Sequence, residues 1–329
     1  MTATSNWYFP NGSLSATNQP LALDVKRAGW TYCGIDVYSF SAKNKEIEID
    51  LGNREAVVVP LSSMSVTIKH HDKKYELAGR PGVFTAVADW FYAPVGAKFS
   101  LAAESGEVAV CTAIATKEFA PHHGLASSVP VEPRGAGFAT RQVNNIATPD
   151  SFAAADRIII CEVLTPGGNW SSWPPHRHDG IAGCPNMNEE IYYFRIGKQN
   201  SDHGDAEGRG YFHAYTVDKK VDDTITISDG DVYILPAGYH GPSIAAPEYP
   251  MYFLNVLAGP CPRSNHGILR RPEPPLDTRR LENPKARPAC TDDISKRSRQ
   301  SFIITINGET NEKTNRHRSI RSRVDGASA

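Results

Sequence analysis

The sequence lacks the features of a membrane protein or of a disulfide-rich secreted domain. No run among its 329 residues approaches the roughly 18–20 consecutive apolar residues that a membrane-spanning helix needs, so we expect no membrane partner. The first 20 residues have neither a basic n-region nor an apolar h-region, and we expect no secretory signal there. The six cysteines form no Cys-x2-Cys pair, which favours free thiols in a cytoplasmic protein.

Net charge is almost absent as well, at −1, but it is distributed unevenly along the chain. Residues 1–260 carry 20 basic and 28 acidic side chains, whereas residues 261–329 carry 15 basic and 8 acidic ones. This C-terminal tail has a single aromatic residue, Phe302, and we predict that it is disordered because it has too little apolar surface for a core. Without interleaved aromatic residues, we expect no nucleic-acid partner for its basic side chains.

The chain is rich instead in short alternating segments typical of β-strands, and one of them carries two histidines. His176 and His178 are two residues apart, so a strand would direct both imidazoles to one face. Glu190 opens a second strand-like run, and His240 closes a third. Three imidazoles and a carboxylate are ligands for one divalent transition metal, whether Zn, Mn, Fe, Ni or Co. Alternation alone leaves Glu189 as a rival to Glu190, because it does not tell which face is inward.

These motifs resemble the paired motifs of the cupin superfamily. The second motif is a Gly-x5-Pro-x-Gly segment that runs from Gly230 to Gly238 and is followed by His240. Glu190 lies twelve residues after His178, so a loop rich in glycine and proline must intervene. A cupin is a double-sheet jelly-roll barrel, and the resemblance therefore implies an all-β fold whose interior gathers the metal ligands.

An internal repeat indicates two such barrels. The Pro-Val-Gly turn at 94–96 matches the Pro-Ala-Gly turn at 236–238, and Lys98 falls where His240 stands. The first half has no His-x-His pair, only the adjacent pairs at 70–71 and 122–123. We therefore predict a bicupin, that is, two tandem double-stranded β-helix barrels of which only the second binds metal.

The expected organisation has four parts. Residues 1–20 form an N-terminal arm, and residues 21–145 form a degenerate first barrel with a linker. Residues 146–260 form the metal-binding second barrel, and residues 261–329 form the basic tail. Short strands punctuated by glycine, proline and asparagine support this all-β division.

Five segments resemble one family closely, the 5-deoxy-glucuronate isomerases of inositol catabolism. They are RQVNNI at 141–146, SWPPHRHD at 172–179, EEIYYFR at 189–195, the run from Gly230 to His240, and YFLNVLAGP at 252–260. The resemblance covers residues 25–260 and ends at Pro260. It implies that the metal ligands are His176, His178, Glu190 and His240, and it favours Glu190 over Glu189.

The resemblance also implies a reaction, the aldose–ketose isomerisation of 5-deoxy-D-glucuronate to 5-dehydro-2-deoxy-D-gluconate. A proton leaves C2 and returns at C1 through an enediolate, whose charge a divalent cation can stabilise. The partner is then a small sugar acid, and a homo-oligomer is compatible with the sequence. Three alternatives remain open: the related uronate isomerase of pectin catabolism, a non-catalytic sugar-binding bicupin, and an iron-dependent dioxygenase.

The residues that move the proton and bind the substrate carboxylate are less well defined. Besides Glu190, the candidates for the catalytic group are Tyr192 and Tyr252, with Asp231 as a further candidate for the proton shuttle. Arginine suits bidentate binding of a carboxylate, and Arg141 and Arg195 lie in the resembling segments.

Overall fold

The computed structural model describes residues 5–180, 186–198, 204–205 and 207–260, together with the backbone of residues 269–270. The predicted disorder of the basic tail therefore concerns residues that lie almost wholly outside the described part. Regular structure in this part is nearly all β-strand, apart from the short helix α1 (Val25–Ala28) and two 3-10 turns, Ala126–Ser128 and Gly137–Ala139. None of these described helices has the length or apolar character that crossing a bilayer requires.

The strands fall into two sets along the chain. The earlier set is β1 (Tyr8–Phe9), β2 (Leu21–Leu23), β3 (Cys33–Phe40), β4 (Glu46–Asp50), β5 (Arg54–Pro60), β6 (Met64–His70), β7 (Lys73–Gly79), β8 (Trp90–Ala93), β9 (Lys98–Ala102), β10 (Gly106–Ile114) and β11 (His122–Gly124). The later set is β12 (Val131–Arg134), β13 (Arg141–Ala147), β14 (Ile159–Thr165), β15 (Trp170–Ser171), β16 (His176–Arg177), β17 (Glu189–Ile196), β18 (Gly210–Tyr215), β19 (Asp222–Ile227), β20 (Val232–Leu235), β21 (Tyr239–Ala245), β22 (Met251–Ala258) and β23 (Leu269–Arg270).

Apart from β1, which joins the second barrel, each set forms a barrel from one large and one small antiparallel sheet. The first barrel packs a six-stranded sheet, β11-β8-β5-β10-β3-β2, against a four-stranded one, β4-β9-β6-β7. The second barrel packs a seven-stranded sheet, β1-β20-β17-β22-β14-β13-β12, against the sheet β19-β18-β21-β16-β23, with β15 paired to β21. The prediction of an all-β bicupin is confirmed.

Three apolar cores hold this arrangement together. The interior of the first barrel is apolar, with Ile68, Phe91 and Leu101 among its buried residues. The interior of the second barrel is more aromatic and includes Phe212 and Phe253. A third core fills the space between the two large sheets. Because successive side chains of a strand point to opposite faces, the central strands of these sheets bury both faces, which is why they read as continuous apolar runs.

Strands near the predicted domain boundaries pair across them. β1 hydrogen-bonds to β20 of the second barrel, with Tyr8 opposite Tyr233, although β2 belongs to the first barrel. β12 and β13, at residues 131–147, extend the large sheet of the second barrel. Beyond Pro260, the backbone of β23 pairs with β16. The boundaries at residues 20, 145 and 260 stay predictions.

Two buried carboxylates join the barrels in a reciprocal way. Glu189 of the second barrel accepts hydrogen bonds from the backbone N–H groups of Thr31, Tyr32 and Cys33 in the first, at 2.6–2.9 Å. Glu55 of the first barrel accepts hydrogen bonds from the backbone N–H groups of residues 156–158, which lead into the second, at 2.6–2.9 Å. Glu189 therefore faces the neighbouring barrel, so it is no rival to Glu190 as a metal ligand.

The strand register explains why the first barrel has no carboxylate where the second has Glu190. Glu190 lies opposite Leu235, the residue before the Pro236 turn. At the equivalent place in the first barrel, Ala56 lies opposite Ala93, the residue before the Pro94 turn. A methyl group thus replaces the carboxylate. Within the described residues, the histidine cluster that could hold a metal lies in the second barrel.

Asp231 anchors the N-terminal strand. Its buried carboxylate accepts hydrogen bonds from Tyr8 Oη at 2.6 Å and from the backbone N–H groups of Asn11 and Ser228 at 2.9 and 2.7 Å. The carboxylate that was a candidate for the proton shuttle thus already accepts three hydrogen bonds. The structure therefore gives Asp231 a structural role at the seam between the arm and the second barrel.

We expect Asp231→Ala to lower the free energy of unfolding by about 2–4 kcal/mol, because buried donors that lose their acceptor remain desolvated. Urea unfolding would measure this change. Asp218→Ala, in an exposed turn, is the control and should leave the unfolding midpoint unchanged. A stable Asp231→Ala protein that has lost turnover would contradict the structural role and restore Asp231 as a catalytic candidate.

Candidate metal centre

Three strands bring the predicted metal ligands together at one end of the second barrel. β16 and β21 are neighbours in the small sheet, and their register places His176 opposite His240. His178 follows β16 directly. Glu190 comes from β17 of the large sheet, and its side chain points to the barrel interior. The His-x-His pair and the later Glu and His thus converge although they are up to 64 residues apart in sequence.

The separations between ligand atoms fit a single cation. Glu190 Oε2 lies 2.9 Å from His178 Nε2 and 3.2 Å from His240 Nε2. His240 Nε2 lies 3.1 Å from His176 Nε2, and the ligand atoms of all three histidines lie within 4.8 Å of one another. Ligands bound at about 2.0–2.1 Å from a common metal would be roughly 3.0–3.4 Å from their neighbours. The donor set and its spacing therefore suit a first-row divalent ion.

Hydrogen bonding and burial prepare the imidazoles for this role. His178 Nδ1 donates to the carbonyl of Asn188 at 3.1 Å, which leaves the lone pair of Nε2 directed at the cluster. Burial and the neighbouring His176 and His178 hold the pKa of His240 well below its usual range, so its ring is neutral. Burial lowers the pKa of His178, but the hydrogen bond and charge of Glu190 raise it more. A cation that binds through Nε2 therefore competes with a proton there, and its affinity should fall as the pH falls.

Tyr192 is the predicted catalytic tyrosine that the structure brings to the cluster. Its ring is fully buried, with its centroid 6.0 Å from that of His240. The hydroxyl hydrogen-bonds with Ser172 and Glu190. Burial, with the negative charge of Glu190, raises the pKa of Tyr192 well above its usual range, so the phenol keeps its proton.

Asn255 is a neighbour of the cluster that the sequence did not single out. It lies directly opposite Tyr192 on β22, and its Nδ2 donates to Glu190 Oε1 at 2.7 Å. Its other neighbour is Cys161 on β14, whose thiol donates to Asn255 Oδ1 at 3.9 Å. A polar residue within the apolar run of β22 was the available signal, because a buried amide needs a partner.

Tyr252 and Arg195 lie away from the cluster, contrary to the roles predicted for them. The Tyr252 hydroxyl donates to Glu162 Oε1 at 2.8 Å in the core between the barrels. Arg195 forms ion pairs with Asp229 at 2.8 Å and Glu107 at 2.7 Å. The two residues are cross-strand neighbours on the face opposite Glu190. Strand alternation is the physical reason, since Arg195 is an odd number of residues from Glu190.

Arg141 is on the interior side of the second barrel but far from Glu190. It is two residues from Val143, which packs in the interior core, and its Nη1 donates to the carbonyl of Ala139 at 3.2 Å. Gln142 lies opposite Leu164, so Arg141 is level with Thr165 on β14. At 3.3 Å per residue, Thr165 is about 13 Å along β14 from Cys161, the residue of this strand that contacts Asn255 beside the cluster. Its predicted role in substrate binding stays a prediction.

The fold and the site together define a bicupin whose second barrel carries a histidine–carboxylate cluster. The chain belongs to the KduI/IolB family, whose model matches residues 8–270. This membership confirms the family resemblance that the five sequence segments indicated.

Individual relatives agree with this membership. A 5-deoxy-glucuronate isomerase from Geobacillus thermodenitrificans is 37% identical over 237 residues, which are 71% of this chain and 82% of that protein. One from Geobacillus kaustophilus is 35% identical over 260 residues, which are 78% of this chain and 90% of that protein. Since these relatives are isomerases, the expectation of an isomerase is confirmed.

Solved structures extend the comparison to the fold. An IolB-like protein from Salmonella typhimurium matches with a TM-score of 0.72 and 29% identity, over 81% of this chain and 97% of its own. An oxalate decarboxylase from Bacillus subtilis matches with a TM-score of 0.54 and 12% identity, over 82% of this chain and 80% of its own. The second match shows the shared two-barrel fold alone.

Proposed function

We propose that this protein is a cytoplasmic, metal-dependent aldose–ketose isomerase that converts 5-deoxy-D-glucuronate to 5-dehydro-2-deoxy-D-gluconate. One observation carries the proposal: three imidazoles and one carboxylate converge inside the second barrel of a KduI/IolB chain. The names of the relatives support this substrate over the uronate of pectin catabolism. The free thiols of Cys33, Cys111 and Cys161 support a reducing compartment.

In this proposal His176, His178, His240 and Glu190 hold one divalent cation. When bound, such a cation acts as a Lewis acid that stabilises the negative charge developing on two neighbouring substrate oxygens. The four ligands are already in place before the substrate binds. Preorganised electrostatic stabilisation of this kind is usually the largest contribution to rate. His178, His240 and Glu190 are buried, so the low dielectric around them strengthens their interaction with a cation.

Of the two candidate tyrosines, Tyr192 is placed to assist the proton transfers and Tyr252 is not. Tyr192 keeps its phenolic proton and can donate a hydrogen bond to a substrate oxygen as charge develops there. Tyr252 has no part in the proposal, because its hydroxyl donates to Glu162 between the barrels. The net change in the open-chain aldehyde acid is the transfer of a proton from C2 to C1 and of the hydroxyl proton from O2 to O1, which turns the aldehyde into a ketone.

The test is incubation of the purified, metal-loaded protein with each of two substrates, 5-deoxy-D-glucuronate and 4-deoxy-5-hexosulose uronate, followed by NMR. We expect turnover of the first, at equal rates in air and under nitrogen, and deuterium at C1 of the product when the reaction runs in D2O. Deuterium would be absent if a shielded group returned the same proton internally.

Each alternative function predicts a different result. Turnover of the second substrate alone would identify the pectin-pathway isomerase. Oxygen uptake stoichiometric with substrate loss would identify a dioxygenase. Binding of a uronate without turnover would identify a sugar-binding bicupin, and any of the three would overturn the proposal.

A further inference from the structure

One oxygen of Glu190 is held by a neutral side chain from the neighbouring strand. Asn255 Nδ2 donates to Glu190 Oε1 across 2.7 Å, and both residues are at most 4% exposed. The other oxygen, Oε2, faces His178 and His240. The two oxygens of this carboxylate thus have different partners, Oε1 the amide and Oε2 the imidazoles, and the Tyr192 hydroxyl adds a further hydrogen bond to the carboxylate.

The amide is itself oriented by a third strand. Cys161, Asn255 and Tyr192 are cross-strand neighbours on β14, β22 and β17, so their side chains share the interior face. The Cys161 thiol donates to Asn255 Oδ1, which directs Nδ2 towards the carboxylate. Burial and the charge of Glu190 raise the pKa of Cys161 to about 12, so the thiol keeps the proton that it donates.

We infer that Asn255 is a positioning residue for the metal ligand Glu190. Its hydrogen bond occupies Oε1 and leaves Oε2 as the single oxygen presented to the cation. A carboxylate that lacks this bond is held less firmly against rotation, so Oε2 is no longer fixed towards the imidazoles and a cation there is bound more weakly. The inference rests on the metal centre proposed above. In it, Asn255 orients Glu190, and the hydrogen bond from the Cys161 thiol orients Asn255.

The same sheet contains a matched control. Asn144 on β13 is also buried, and its Nδ2 donates to Glu162 Oε2 at 2.9 Å. This second amide–carboxylate pair lies in the core between the barrels, beside Arg80. Loss of the Asn144 bond should therefore loosen the sheet without touching the cluster.

The experiment compares Asn255→Leu, Asn255→Ser and Asn144→Leu with the wild-type protein. Each protein is stripped of metal and titrated with Zn²⁺ against a chelator, and its unfolding midpoint is measured without metal. We expect both Asn255 variants to bind Zn²⁺ about 10–100-fold more weakly, the usual effect of removing a hydrogen bond to a ligand. Asn144→Leu should lower the unfolding midpoint and leave Zn²⁺ affinity within about twofold of wild type.

The outcomes separate this inference from the proposed function. A wild-type protein that binds no Zn²⁺ would refute the metal centre itself. Tight wild-type binding with unchanged affinity in the Asn255 variants would refute the positioning role alone. Equal weakening in Asn144→Leu would also refute it, because general loosening would then explain the loss. If Asn255→Leu does not fold, the smaller Asn255→Ser change supplies the comparison.

Discussion

His240→Ala is expected to reduce bound metal from one ion per chain to less than about a tenth, and to reduce isomerase turnover by about 10³-fold or more. His240 is fully buried, and its Nε2 lies within 3.2 Å of both His176 Nε2 and Glu190 Oε2. In the proposed metal centre its removal takes away a central ligand, and loss of Lewis-acid stabilisation would cost several kcal/mol in the transition state. Elemental analysis after dialysis, followed by a turnover assay, would measure both effects.

His70→Ala is the matched control. His70 is also a buried histidine, but it lies in the first barrel, where its Nδ1 is 2.9 Å from the carbonyl of Lys98. Its loss should lower stability and leave the metal content unchanged. Unchanged metal content in both His240→Ala and His176→Ala would rule out the centre. Removal of the metal from wild-type protein by a chelator should reproduce the turnover loss, and added metal should restore it.

Arg80→Met is expected to lower the free energy of unfolding by about 3–5 kcal/mol, the largest stability effect that we expect in this chain. Arg80 of the first barrel and Glu162 of the second form a fully buried ion pair. Arg80 Nε also donates to the carbonyl of Pro60 at 2.9 Å. Without Arg80, the Glu162 carboxylate stays buried and its charge is uncompensated; among the described residues, its remaining donors are Tyr252 and Asn144.

A double-mutant cycle tests this account. Since apolar replacement of both partners removes the buried charge, Arg80→Met combined with Glu162→Leu should recover part of the lost stability. The recovery should be incomplete, because Tyr252 and Asn144 lose their acceptor in the double variant. Urea unfolding of the four proteins measures the coupling. Lys45→Met, which breaks the exposed pair with Glu104, is the control and should leave the unfolding midpoint unchanged. A single Arg80→Met change with wild-type stability would contradict the role of this pair.

Part of the site could be predicted from sequence because covalent geometry alone imposes it. Residues that are two apart on a strand share a face, which predicted that His176 and His178 point together. In the structure they do meet, although β16 itself ends at Arg177. The Pro-x-Gly turn recurs at 94–96 and 236–238, and that repeat indicated two barrels before any contact was known. Local rules of this kind need no knowledge of the neighbouring strands.

The choice between Glu189 and Glu190 could not be made in this way. Both are buried carboxylates at the start of β17, and each makes good hydrogen bonds. Only the packing of the two large sheets against each other turned Glu189 towards the first barrel and Glu190 into the second. The same alternation of side chains would also fit the reverse arrangement, in which Glu189 faces the interior of the second barrel and Glu190 faces the first barrel.

Arg195 could have been excluded from the site by strand alternation alone. Once Glu190 faces inward, alternation turns Arg195 outward, where it pairs with Glu107 and Asp229. Tyr252 is different, because no local rule connects it to Glu190. Its position in the core between the barrels follows from the pairing of β22 with β17, which only the folded chain reveals.

By itself, the sequence determined the β-strand content, the two-barrel repeat, the identity of the metal-ligand candidates and the family. The tertiary structure decided which carboxylate faces the histidines, and it placed Asn255 against Glu190 and Tyr252 against Glu162. The physical reason is that strand alternation is a property of the backbone, with a period of two residues. Which face is interior, and which strands are neighbours, depends instead on how distant segments bury their apolar surfaces against one another.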